Sequence, residues 1–97
     1  MYEKSVRLNG VTMADKRKGS VQIRFEILEF LFFAGKSQLR THVWRKATDA
    51  SYDDFLKHLL YLNEKGFVDE NAEGQVMLTA QGRNVYISLR DSLPSLL

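Results

Sequence analysis

The stretch SYDDFLKHLLYLNEKGFVDENAEGQVMLT, residues 51–79, constrains the fold of this chain more than any other. Phe55, Leu59 and Leu62 recur at steps of four and three, which puts them on one face of a helix. Ser51 stands where an N-cap belongs, and Asp54 follows three residues later in a capping-box-like position. Asp53 and Asp54 carry negative charge where unpaired N–H groups leave the helix end partly positive, so they read first as capping residues. Gly66 stops the helix. Two short β-prone segments follow, Phe67 to Asp69 and Gln75 to Leu78, around a turn through Asn71 to Gly74. A helix running straight into a hairpin leaves few architectures open.

The flanking segments narrow the choice. Ser20 is expected to cap a helix through VQIRFEILEFLFFAG, with Ile23, Ile27, Phe30 and Leu31 on one face and Gly35 as the C-cap. KSQL is a short connector able to add one strand to a small sheet. SQLRTHVWRKA gives a second, short helix with Leu39, Val43 and Trp44 turned inward. After the hairpin, Thr79 caps a last helix from about Ala80 to Leu93, where Pro94 is expected to end it. The fold class expected is mainly α with a small β-hairpin, in winged helix-turn-helix order. Residues 1–19 read as a flexible basic arm, and residues 20–97 as one domain.

RFEILEFL, SYDDFLKHLLYLNEKGFV and VMLTAQGRNVY, taken together and in this order, resemble the small archaeal winged-helix DNA-binding proteins, which archaeal viruses and plasmids also carry. The resemblance covers roughly residues 19 to 90. It rests on Ser51, Tyr52, Asp53 and Phe55, then Leu59, Leu62, Lys65, Gly66 and Phe67, then Leu78, Thr79, Gly82 and Arg83. It implies a homodimer that binds double-stranded DNA and regulates transcription or chromatin, with the C-terminal helix as the dimerisation element.

Charge distribution points the same way. Residues 1–46 hold ten Lys and Arg against four Asp and Glu, a net of +6. Residues 47–97 hold four against eight, a net of −4, which together give the chain its +2. The candidate phosphate contacts are Lys16, Arg17 and Lys18 on the arm, then Lys36, Ser37, Gln38, Arg40, Thr41, Arg45 and Lys46 on and before the second helix. Ser51, Tyr52 and Lys57 are the candidates on the third helix. Lys57 lies about 200° from Phe55, opposite the core, in the company of Asp53, Leu60 and Glu64. Val85, Tyr86, Leu89 and Leu93 are the candidate dimer contacts, because the last helix carries more apolar residues than one small core requires.

Other chemistries find little support. The chain has no cysteine, so disulfides and thiolate metal sites are out. His42 and His58 are 16 positions apart with no clustered third ligand, and no nucleophile or phosphate-loop motif is present. No enzyme activity, metal or cofactor is expected, and the absence of a signal-like or spanning apolar run makes a cytoplasmic protein the expectation. Trp44 and Tyr61 are expected to fill the core or an interface rather than stack on bases. Two other readings stand beside DNA binding. The hairpin tip DENAEG is acidic, with Asp69, Glu70 and Glu73, and suits a protein partner better than phosphate. The aromatic run Phe30–Phe33 would suit a ligand-sensing regulator if it lined a cavity.

Overall fold

The computed structural model describes residues 19–96. It contains four helices and a three-stranded antiparallel sheet: α1 (Ser20–Ala34), β1 (Gln38–Leu39), α2 (Arg40–Ala47), α3 (Tyr52–Glu64), β2 (Val68–Glu70), β3 (Gln75–Leu78) and α4 (Ala80–Leu96). The strands lie in the order β1-β3-β2, so the connector KSQL does contribute a strand to the sheet. Helix α1 is the central element and packs against α2, α3 and α4.

The core draws on every helix. Ile23, Ile27, Leu28 and Leu31 come from α1, Val43 from α2, and Phe55, Leu59 and Leu62 from α3. Val68, Val76 and Tyr86 complete it from β2, β3 and α4. The helical steps expected in α1 and α3 thus select the buried faces, except that Phe30 is only half-buried.

Local chemistry sets the element ends. The Ser51 hydroxyl accepts the Asp54 N–H at 3.2 Å, which caps α3 as expected. At the other end Gly66 adopts φ 80°, a left-handed conformation that costs glycine nothing. Its N–H bonds the Asn63 carbonyl at 3.0 Å, and the next N–H, of Phe67, bonds the Leu62 carbonyl at 2.9 Å. This paired closure spends the Phe67 N–H on the helix, so β2 starts one residue later than the alternation predicts. The hairpin tip is ordered by Asn71, whose Oδ1 accepts the N–H groups of Glu73 and Gln75 at 3.0 and 2.9 Å. Thr79 Oγ1 accepts the Gly82 N–H at 2.9 Å and donates to the Gly66 carbonyl at 2.7 Å. One side chain therefore caps α4 and ties it to the end of α3.

Four expectations need correction. Gly19, not Ser20, is the N-cap of α1, and Ser20 is already helical. Leu39 is 53% exposed rather than inward. It pairs with Gln75 in the sheet, whereas Gln38 pairs with buried Val76, and strand alternation turns Leu39 outward. Helix α2 accordingly begins only at Arg40. Helix α4 runs through Pro94 to Leu96. Proline removes a single N–H bond, and within the last turn there is little helix left to break.

Candidate nucleic-acid interface

The end of α2, the following turn and the start of α3 form one continuous surface. Trp44 Nε1 donates to the Ala50 carbonyl at 2.8 Å, and the Ala50 N–H bonds Thr48 Oγ1 at 3.2 Å. The Trp44 ring meets Tyr52 edge-on at 5.0 Å, and Tyr52 stacks on Phe55 at 5.9 Å. These contacts fix the turn and hold α2 and α3 in register. Trp44 thereby serves packing, as its type suggested. Arg45 and Lys46, in the last turn of α2, are exposed, as are Thr41 on the same helix and Ser51 at the start of α3. Lys57 projects from α3 with its side chain 74% exposed, 4.0 Å from Asp54. An exposed pair at that distance is worth roughly 0–1 kcal/mol and leaves Lys57 available.

Other predicted contacts are placed elsewhere. Arg40 is not a free cation: its guanidinium forms an ion pair with Glu70 of β2, with Nε 3.0 Å from the carboxylate. The bond to Glu70 first, then the neighbouring Tyr52 side chain, raises the Arg40 pKa further. Arg40 and Glu70 thus brace the hairpin against α2, and Tyr52 is held between the Trp44 and Phe55 rings, which makes Arg40 and Tyr52 joint residues first. Ser37 and Gln38 are half-buried beside the sheet. Lys36 is exposed but sits at the root of the hairpin, in a shallow cleft of about 70 Å³ shared with Met77, Leu78 and Arg83. The β1–β3 register carries Leu39 toward the tip at Gln75, and so Lys36 away from it. Lys16, Arg17 and Lys18 lie outside the described residues, as does the side chain of Leu93.

The exposed face of α3 has mixed character. Asp53, Lys57, Leu60 and Glu64 all point to solvent, and Leu60 is 62% exposed at its centre. One lysine is thus set among acids and an apolar side chain.

Tyr86 is corrected as a dimer contact. It is 1% exposed within its own chain, packed by Phe25 and Phe32 at 5.3 and 4.7 Å, with its hydroxyl 3.3 Å from Glu29 Oε2. Burial first, then Glu29, pushes its pKa up. Val85 and Leu89 are half-buried and do reach the surface. Leu89 lines an open apolar recess of about 490 Å³ with Val21, Gln22 and Phe25. It also lines an adjoining recess of about 160 Å³, where Val85, Leu28, Leu62 and Arg24 take part. The two share Val21 and Leu89 and form one groove between α1 and α4. Within the run Phe30–Phe33, Leu31 is buried, Phe30 meets His42 edge-on at 5.8 Å and Phe32 packs on Tyr86 at 4.7 Å, whereas Phe33 touches the Tyr86 ring edge-on at 6.4 Å and stays 71% exposed.

One cluster escaped the sequence reading. His58 is 6% exposed, and its Nδ1 accepts a bond from Arg24 Nε at 3.1 Å. The Arg24 guanidinium lies 3.6 Å over the Tyr61 ring. Burial first, then Arg24, lowers the His58 pKa. A signal was present: His58 follows Phe55 by three and precedes Leu62 by four, which places it on the core face. Among the described residues no group of three or more His, Asp and Glu is arranged to hold a metal ion, and no helix is long and apolar enough to cross a membrane. Comparison with protein-family models, with curated proteins and with solved structures gives no match for this chain.

Proposed function

We propose that this chain is a winged helix-turn-helix protein that binds duplex DNA as a homodimer and regulates transcription. The observation that carries the reading is the continuous surface from the end of α2 to the start of α3. Arg45 and Lys46 stand exposed there beside a turn held rigid by Trp44, Thr48 and Ala50. Cations at the C-terminal end of a short helix suit phosphate contacts, which set orientation without reading sequence. Helix α3 then enters the major groove, where Ser51 and Lys57 offer polar contacts and Leu60 an apolar one. With so few cations on α3, base specificity is modest. No catalysis or cofactor enters this reading.

Arg45→Ala is expected to weaken binding to every duplex sequence alike and to make the log–log salt dependence shallower by about 0.9, the value for one phosphate contact. Fluorescence anisotropy with duplexes of unrelated sequence measures this, and an unchanged slope removes α2 from the interface.

The groove of Val21, Phe25, Val85 and Leu89 supports the homodimer, since a second copy would cover this apolar surface. Two-fold symmetry would place two α3 helices about 34 Å apart on one face of DNA. Leu89→Glu is expected to give a folded monomer in sedimentation velocity at concentrations where the unaltered protein is dimeric. A Leu89→Glu variant that stays dimeric would exclude the groove.

A second reading, a protein-interaction module on the same fold, is favoured by the charge of the exposed surface. Asp53 and Glu64 flank Leu60 on α3, Glu73 stands exposed at the hairpin tip, and Glu70 neutralises Arg40. That face would take a basic partner carrying an apolar side chain.

A further inference from the structure

We infer that Arg24, His58 and Tyr61 form a proton-operated joint between α1 and α3, locked while His58 is neutral and released when His58 takes up a proton. The bond from Arg24 Nε to His58 Nδ1, at 3.1 Å, requires a lone pair on Nδ1. The neutral tautomer therefore carries its proton on Nε2. Protonation at Nδ1 replaces the acceptor with a donor and sets an imidazolium against a guanidinium. Arg24 is held in place by its stack on Tyr61, so a charged His58 cannot be relieved without moving one of the two helices or swinging Arg24 away.

The surroundings do not offset the repulsion. The charged and titratable groups that face His58 are Arg24 from α1 and Lys57, Asp54 and Tyr61 from α3 itself. Of these only Asp54 favours a charged histidine, and it lies at the capped first turn, close to Lys57. Arg24 also walls the recess that Val21, Val85 and Leu89 line. Release therefore reshapes the surface assigned to the second copy, a consequence that rests on the dimer reading; the joint itself does not.

The direction of the pH effect follows from linkage. A histidine whose folded pKa lies below its unfolded value of about 6.5 leaves stability fully present above that pH. Stability is then lost as the pH falls from about 6.5 toward the folded value, by up to about tenfold in the folding equilibrium constant per pH unit. The test compares urea unfolding at a neutral and a mildly acidic pH for the unaltered protein and for His58→Asn. The asparagine Oδ1 can accept the Arg24 bond in place of Nδ1 and does not titrate. The unaltered protein is expected to lose more of its folding constant on acidification than His58→Asn, by up to about tenfold for each pH unit below about 6.5, and equal losses would overturn the joint.

NMR titration of the His58 ring supplies an independent readout should His58→Asn not fold. Its midpoint is expected below that of an ordinary histidine and should move up in Arg24→Gln, where the guanidinium is gone. A midpoint that Arg24→Gln leaves in place would mean that burial alone sets it, and a midpoint at or above the ordinary value would mean that neither burial nor Arg24 disfavours the imidazolium; either result would overturn the joint.

Discussion

Replacing Gly82 by alanine is expected to cost the domain about 3–5 kcal/mol, a large share of what a small domain has. The reason is contact rather than conformational freedom. A Cβ on Gly82 would stand 2.0 Å from the Phe67 carbonyl oxygen and 2.8 Å from its carbon, with Leu78 Cδ1 at 2.9 Å. Two of those atoms are backbone, and the Phe67 carbonyl already accepts the Thr79 N–H at 3.1 Å. The first turn of α4 would have to lift from the root of the hairpin, taking with it the Thr79 bonds to Gly66 and Gly82. At about 4–8 °C per kcal/mol for a domain of this size, thermal unfolding followed by circular dichroism should show a fall of roughly 12–40 °C. A fall of only a few degrees would mean that α4 packs less closely on the hairpin than described.

Tyr86→Ala is expected to cost a further class of stability, about 3–5 kcal/mol, as for other large aromatic side chains removed from a core. Tyr86 is 1% exposed and joins Phe25, Phe32 and Phe33 into the contact between α1 and α4. Tyr86→Phe keeps that packing and loses only the hydroxyl contact to Glu29 at 3.3 Å, for about 1 kcal/mol. Chemical denaturation of the two variants, repeated over a range of protein concentrations, separates the possible roles. A core residue lowers stability at every concentration. Were Tyr86→Ala as stable as the unaltered protein when dilute and weaker only in self-association, Tyr86 would be an interface residue after all.

What the sequence made legible is what neighbouring residues decide. Ser51 and Asp54 set the start of α3, Gly66 its end, Asn71 and Gly74 the hairpin turn, and Thr79 the start of α4, all through contacts spanning a few positions. The periodicity of Phe55, Leu59 and Leu62 was enough to find the buried face of α3. What it hid depends on residues distant in the chain. Arg40 reads as an ordinary helix-two cation until the hairpin brings Glu70, 30 positions on, into contact. Arg24 and His58 are 34 positions apart, and Glu29 and Tyr86 are 57 apart. Leu39 reads as helical and inward, but its pairing with Gln75 in the sheet decides the matter. Of the candidate site, Arg45, Lys46 and Lys57 stand exposed where the helical periodicity put them, and Thr41 and the N-cap Ser51 are exposed as well. Arg40, Tyr52 and Tyr86 are drawn into structural contacts that helical periodicity does not encode.

Duplex DNA binding is tested most directly by fluorescence anisotropy of the purified protein with a labelled mixed-sequence duplex across a series of salt concentrations. The proposal predicts binding at low salt that weakens linearly on a log–log plot, with a slope of about −0.9 for each phosphate contacted. No binding at the lowest salt, or binding indifferent to salt, would contradict it and would favour a partner for the acidic face of α3 and the hairpin.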